Sequence, residues 1–187
     1  MTLRQIIGCQ AEVSMENDNS KQTTESHTEQ TTENKRRKHA AVKFPPPAIF
    51  VLLILLGFVL SFIMPLDTGL PLALASLGWV FIAAGIAIAL IVAGVFKRAN
   101  TAIEPWKPTT ALVTDGLYAW SRNPIYAGFC LFNFGVGIAA NNLWIVLSIF
   151  VGAWLVYKVA IEKEERYLEQ EFGQEYLDYK ARVRRWL

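Results

Sequence analysis

The sequence predicts an all-α integral membrane protein with about four transmembrane helices and a cytoplasmic helical extension after the last. Three observations predict it. Of the 187 residues, 53% are hydrophobic, and nearly all of that hydrophobicity lies beyond residue 43. The apolar runs there stay free of charge over stretches near the roughly 20 residues that cross a bilayer core. Lys and Arg gather in segments that alternate with those runs. A soluble helical core accounts poorly for them, because a soluble helix normally keeps a polar face.

Residues 1–43 are rich in Thr, Glu, Gln, Asn and Ser and carry the basic patch Lys35-Arg36-Arg37-Lys38. Such a tail buries too little apolar surface to offset its ordering entropy, so it is expected to be disordered. Its basic residues are not followed directly by a short apolar core and a cleavage site, which argues against a secretory signal. The membrane domain is then 44–187. Its first helix is "AIFVLLILLGFVLSFIMPL", 48–66, and its second is 70–96. The apolar region 124–161 is too long for one crossing, and the turn-forming pair Asn141-Asn142 splits it into 124–140 and 142–161. Charged residues 162–187 continue as cytoplasmic helices, with Gly173 as a helix stop.

Positive charge fixes the orientation. Lys35 to Lys38 and Lys43 precede the first helix, and Lys97, Arg98, Lys107 and Arg122 lie between the second and third. Lys163, Arg166, Lys180, Arg182, Arg184 and Arg185 follow the fourth, whereas the two remaining connections carry no basic residue. Both termini and the 97–123 loop are therefore expected in the cytoplasm. The composition also excludes chemistries. His27 and His39 both fall in the polar tail, so clustered-histidine metal sites and a His-dependent triad are not expected in the membrane domain. Cys9 and Cys130 form no metal-type spacing or disulfide framework.

Polar chemistry concentrates in two segments, 101–128 and 162–187. Asn123-Pro124 suits a helix start, with Asn capping amides and Pro at the first helical position. Arg122 then stands beside a helix N-terminus that favours an anion. Tyr126 shares a face with Asn123. The competing account has Arg122 meeting lipid phosphate while Tyr118, Trp120 and Tyr126 form an interfacial belt. In the second segment, Glu164, Tyr167 and Leu168 share a helical face, and a solvated charged helix is the plain alternative.

Taken together, "LVTDGLYAWSRNPIY" and, some forty residues later, "EKEERYLEQEFGQEYLDYKARV" resemble the isoprenylcysteine carboxyl methyltransferase and phospholipid methyltransferase superfamily. The resemblance runs from about Asn100 onward. It implies an integral-membrane enzyme that uses S-adenosylmethionine, held at the cytoplasmic membrane face without a Rossmann domain. It implies cofactor contacts from Ala111, Leu112 and Val113, from Tyr118 and Tyr126 around the adenosyl part, from Asn123 by hydrogen bond, and from Glu164 at the ribose or amino group. Pro124 belongs to the same set. Aromatic faces and a carboxylate suit a cationic sulfonium. Arg122, supported by Glu165, is expected to orient an anionic substrate or the cofactor carboxylate, and no metal is expected. The acceptor is expected to be a lipophilic molecule from the bilayer, foremost an isoprenylcysteine-type carboxylate; membrane lipids are the other partners and nucleic acid is not one. Phospholipid amine methylation, a non-enzymatic scaffold and a small transporter are the alternatives.

Two positions depart from the family pattern. Asn123 stands where many members have His, and Asn cannot titrate near neutral pH. A carboxylate acceptor needs no base, whereas an ammonium would have to lose its proton to Glu164, Glu165 or water. Ala160 stands where the eukaryotic prenylcysteine branch has a substrate-binding Arg. The "FGVG" stretch, Phe134 to Gly137, and the other membrane glycines are read as helix packing.

Overall fold

The computed structural model describes residues 45–99 and 109–186. The polar tail, both histidines, Cys9 and the loop 100–108 with Lys107 lie outside the described residues. Among the described residues every regular element is helical, and the one β-bridge joins Ser121 to Arg184.

Helix α1, Pro46–Ile63, starts two residues earlier than expected and ends three earlier. Prolines are tolerated in a first helical turn, so Pro46 and Pro47 extend the helix backwards. Pro65 disfavours the helical conformation of the residue before it, and Met64 accordingly leaves it at φ −140°, ψ 88°. The second apolar run is broken in two: α2, Leu72–Ala75, and α3, Gly78–Arg98. Between them, i to i+3 bonds from Leu77 to Leu74 and from Trp79 to Ser76 tighten the chain. The third and fourth runs form α4, Pro124–Ala139, and α5, Leu143–Val156, joined where Asn141 adopts φ +49°. Asn142 caps α5, its Oδ1 accepting from the Ile145 amide at 3.2 Å.

Three uninterrupted or near-continuous helical stretches, Pro46–Ile63, Leu72–Arg98 and Leu143–Phe172, are long and apolar enough to cross a membrane. In the last of them the apolar part ends at Ile161, and the charged part begins at Glu162. The fourth, α4, has 16 residues, about 24 Å of helix. It nonetheless runs from one end of the bundle to the other. Its far end meets the α1–α2 loop, where Asn141 Oδ1 accepts from Thr68 and the Leu143 amide donates to the Leu66 carbonyl at 2.9 Å. The outer faces are apolar, with Phe62 94% and Leu72 87% exposed, as a protein solvated by lipid requires.

Glycines let α3 and α4 close on each other. A Cβ on Gly85 would stand 2.7 Å from the Gly128 carbonyl oxygen, and one on Gly135 would stand 2.6 Å from that of Gly78. These two pairs lie in antiparallel register along one seam, which is how small residues bring membrane helices together. Gly135 and Gly137 of "FGVG" both pack in this way, Gly137 against Val146. Gly94 meets nothing within 4 Å and does not belong to a seam.

After α5 the helix loosens into a π-turn, Tyr157–Ile161, and resumes as α6, Glu162–Phe172. Such a turn takes in one residue more than a regular α-turn. Helix α5 is apolar all round, whereas α6 has a polar side and a packed side, the latter carrying Glu165 and Tyr167. Gly173, at φ +52°, breaks the chain into α7, Gln174–Arg182.

Candidate active site

At the end of the bundle where α4 begins and α5 gives way to α6, a pocket opens between the two. The stretch before α4 supplies Ala111, Leu112, Val113, Tyr118, Arg122 and Asn123, and the first turn of α4 supplies Tyr126. Helix α6 supplies Glu164, Glu165, Tyr167 and Leu168. Every expected site residue except Pro124 lines it. Pro124 is buried in the first helical position, so its contribution is to start α4.

The tyrosines and Trp120 part company. Trp120 is 79% exposed and fits an interfacial anchor, but Tyr126 is 5% exposed and points inward. Its hydroxyl donates to Glu164 Oε1 at 2.5 Å. Burial pushes the Glu164 carboxyl up to about 7, the nearby Glu165 adds to the rise, and the Tyr126 bond partly opposes it. Tyr118 packs edge-on against Phe96 with centroids 5.7 Å apart. Its phenol is pushed well above the usual range by burial and then by Glu164.

Arg122 is the second pole. Its side chain is 8% exposed, and Nη2 approaches Glu165 Oε1 at 3.4 Å. Its Nε and Nη1 are buried without a hydrogen-bond partner. Such donors carry a desolvation penalty of about 1–3 kcal/mol unless something accepts from them. Arg122 is one of the residues that line the pocket, so an acceptor that reaches those donors relieves it.

Asn123 corrects one expectation. It does not cap α4 with its side chain. Its Nδ2 donates instead to the Arg185 carbonyl at 3.0 Å. Beside it the Arg122 amide donates to the Arg184 carbonyl at 2.9 Å, and the Ser121 hydroxyl reaches the Arg185 carbonyl at 3.4 Å. The side-chain amide is recruited by the segment after α7, which lies across residues 121–123.

Sequence reasoning missed that segment and the wall before it. Tyr176 and Tyr179 of α7 line the pocket at 2% and 3% exposure, and the Tyr179 hydroxyl donates to the Tyr118 carbonyl at 2.7 Å. The i, i+3 spacing of those tyrosines signalled one buried face without naming its partner. Ala160, where the prenylcysteine branch has Arg, is fully buried in the apolar cluster of Val156, Ile161 and Tyr167. Lys158 does not replace that Arg, because it stands outside and pairs with Glu162 at 3.0 Å.

Below the pocket lies an apolar groove of about 570 Å³ between α1, α3 and α4, lined among others by Phe50, Ile54, Ile86 and Phe132. Phe129 separates the two spaces, its ring 6.3 Å from Tyr126 and 5.8 Å from Phe50.

These features define an integral membrane protein of helical construction, with a pocket that holds charged side chains at one end of its bundle and an apolar groove beneath it. The family profile for phospholipid methyltransferases matches residues 73–175, more than half of the chain. The chain belongs to that family. Residues of the human protein-S-isoprenylcysteine O-methyltransferase are 39% identical over 75 positions, covering 40% of this chain and 26% of that one. The rat protein of the same name is 35% identical over 97, covering 51% and 34%. The Saccharomyces cerevisiae protein is 41% identical over 73, covering 38% and 30%. The chain thus spans a quarter to a third of these relatives. A solved structure of the eukaryotic intramembrane Ras methyltransferase, isoprenylcysteine carboxyl methyltransferase, aligns over 73% of this chain and 50% of its own, at 26% identity and a TM-score of 0.46.

Proposed function

We propose that the protein is an S-adenosylmethionine-dependent methyltransferase that esterifies a carboxylate on a lipophilic, isoprenylcysteine-type molecule drawn from the bilayer. The observation that carries this reading is Arg122: a buried guanidinium with two unpartnered donors, facing across one pocket a buried carboxyl held by a tyrosine. One pole suits an anion and the other a cation, and the methyl donor's chemistry needs both.

The residues present fit the cofactor. Glu164, once ionised, complements its positive charge or accepts from its hydroxyls, with Tyr126 holding the carboxylate in place. Tyr118, Tyr126 and Tyr176 offer aromatic faces to a sulfonium. The backbone of Ala111 to Val113 completes the cradle, with Leu112 and Leu168 giving apolar contact and Asn123 tying its wall to the Arg185 carbonyl. Bound there, S-adenosylmethionine supplies an electrophilic methyl group.

The remaining work belongs to the chain. Arg122 Nε or Nη1 donates to the substrate carboxylate by a charge-assisted hydrogen bond and fixes its position. An ionised carboxylate is already nucleophilic, so no side chain has to take a proton. The groove between α1, α3 and α4 is suited to an apolar tail. The rate gain comes from alignment of nucleophile, carbon and leaving sulfur, and from exclusion of water by the buried tyrosines. Loop charge supports a cytoplasmic position for this end of the bundle and for both termini.

Amine methylation is the second reading, favoured by one observation. The Glu164 carboxyl at about 7 is suited to accept an ammonium proton. Glu165 is not, because both of its oxygens are engaged by arginines. Incubation of the purified protein with methyl-labelled cofactor and membrane extract separates the readings. A base-labile methyl ester supports esterification. A base-stable N-methyl lipid favours the amine, and no labelled product favours a scaffold.

A further inference from the structure

The segment after α7 does more than cover residues 121–123. Arg185 takes both oxygens of Glu165, Nε to Oε1 at 2.9 Å and Nη2 to Oε2 at 2.8 Å. Its guanidinium also lies 5.1 Å from the centre of the Tyr157 ring, in the π-turn. Glu165 stands between two guanidiniums but is shared unequally. Arg185 has the bidentate geometry that makes such pairs strong, while Arg122 keeps a single contact at 3.4 Å. Two guanidiniums and one carboxylate leave one positive charge, and the bidentate pairing of Arg185 leaves it at Arg122, a residue of the pocket lining with two unpartnered donors.

We propose that Arg185 is a positioning residue: by occupying Glu165 it limits that carboxylate to a single long contact with Arg122 and leaves the other Arg122 donors free for an anionic ligand. Without Arg185, the cation left beside Glu165 among the described residues is Arg122, already 3.4 Å away. A small rotation would close a fork on Arg122, neutralise it and consume its donors. The arginine that never touches substrate thereby sets the affinity of the one that does. The inference rests on the functional reading only for the identity of the anion.

The test uses the full chain in detergent micelles, with Arg185→Ala, the gentler Arg185→Lys, Glu165→Gln, and the Arg185→Ala/Glu165→Gln pair. Arginine side-chain NMR reads the Arg122 Nε–H directly, assigned by its loss in Arg122→Lys. We expect that resonance to move downfield in Arg185→Ala, as Glu165 becomes its acceptor, and to return in the double variant. Binding of a small S-prenylated cysteine with a free carboxylate is expected to weaken at least tenfold in Arg185→Ala and less in Arg185→Lys. It should recover to within about threefold of wild type in the double variant, because a neutral amide in place of the Glu165 carboxylate cannot sequester Arg122. A merely structural Arg185 predicts no rescue. An unmoved Arg122 resonance, or a double variant as weak as the single one, overturns the proposal. If wild type fails to bind the carboxylate probe, the acceptor reading falls and the resonance still decides the role of Arg185.

Discussion

Cofactor affinity should depend steeply on pH, through Glu164. Its carboxyl lies near 7 mainly because burial disfavours its charge. A sulfonium needs that charge, so binding is linked to loss of one proton. If only the ionised form binds, the apparent Kd rises by the factor 1 + 10^(7 − pH). Between pH 8 and pH 5.5 affinity then falls about thirtyfold, or about 2 kcal/mol. Calorimetry in buffers of different ionisation enthalpy measures the affinity and the proton count together. At pH 6, about 0.9 proton should leave per cofactor bound. Glu164→Gln should bind more weakly at pH 8 and lose the slope. Flat affinity across this range, or a slope that persists in Glu164→Gln, refutes the reasoning. The same group bears on stability with a definite sign. Its folded value stands above its ordinary 4.5, so its contribution is fully present below that pH and is lost as pH rises towards 7. The empty protein should therefore melt lower at pH 7.5 than at pH 5 on this account, and added cofactor should recover more at the higher pH.

Other outcomes follow from single contacts. Tyr126→Phe removes a bond that lowers the Glu164 value, so the affinity–pH curve should move to higher pH and binding at pH 7 should drop severalfold. Gly85→Val places a side chain against the Gly128 carbonyl and the Phe132 amide, and should lower thermal stability by roughly 2–3 kcal/mol as overpacking does. Gly94→Ala, in open space on the same helix, should be neutral or raise stability by about 0.5–1 kcal/mol. Asn142→Ala loses both the α5 cap and the bond from Nδ2 to the Gly57 carbonyl at 3.2 Å, and should cost about 1–3 kcal/mol in a melting experiment.

The membrane helices were legible because a bilayer demands long uncharged runs, and because Pro65 and Asn141-Asn142 end them by local rules. The break at Ser76-Leu77 was not legible, since nothing in "LASLG" forbids a helix there. The pocket half built by residues 111–126 and Glu164 was legible from motif order. The other half was hidden for two reasons. Tyr176 and Tyr179 look like any amphipathic face until their partner is known. Arg185 sits in "RVRRW", a basic run whose expected fate is water, and its pairing with Glu165 depends on a backbone crossing that no spacing rule anticipates.

The π-turn at Tyr157–Ile161 has a consequence for how such chains can vary. An i to i+5 ring holds one residue more than a regular turn. Deleting a residue there would leave a regular α-helix and an intact crossing. With one residue fewer, α6 would keep nearly its present direction; closing all five residues as a regular helix would instead swing it by almost 100°, carrying Glu164 away from Tyr126 and Glu165 away from its arginines. A one-residue gap at this place in a related sequence is therefore compatible with an assembled pocket, whereas a regular helix of the same length would insert and fold without assembling it.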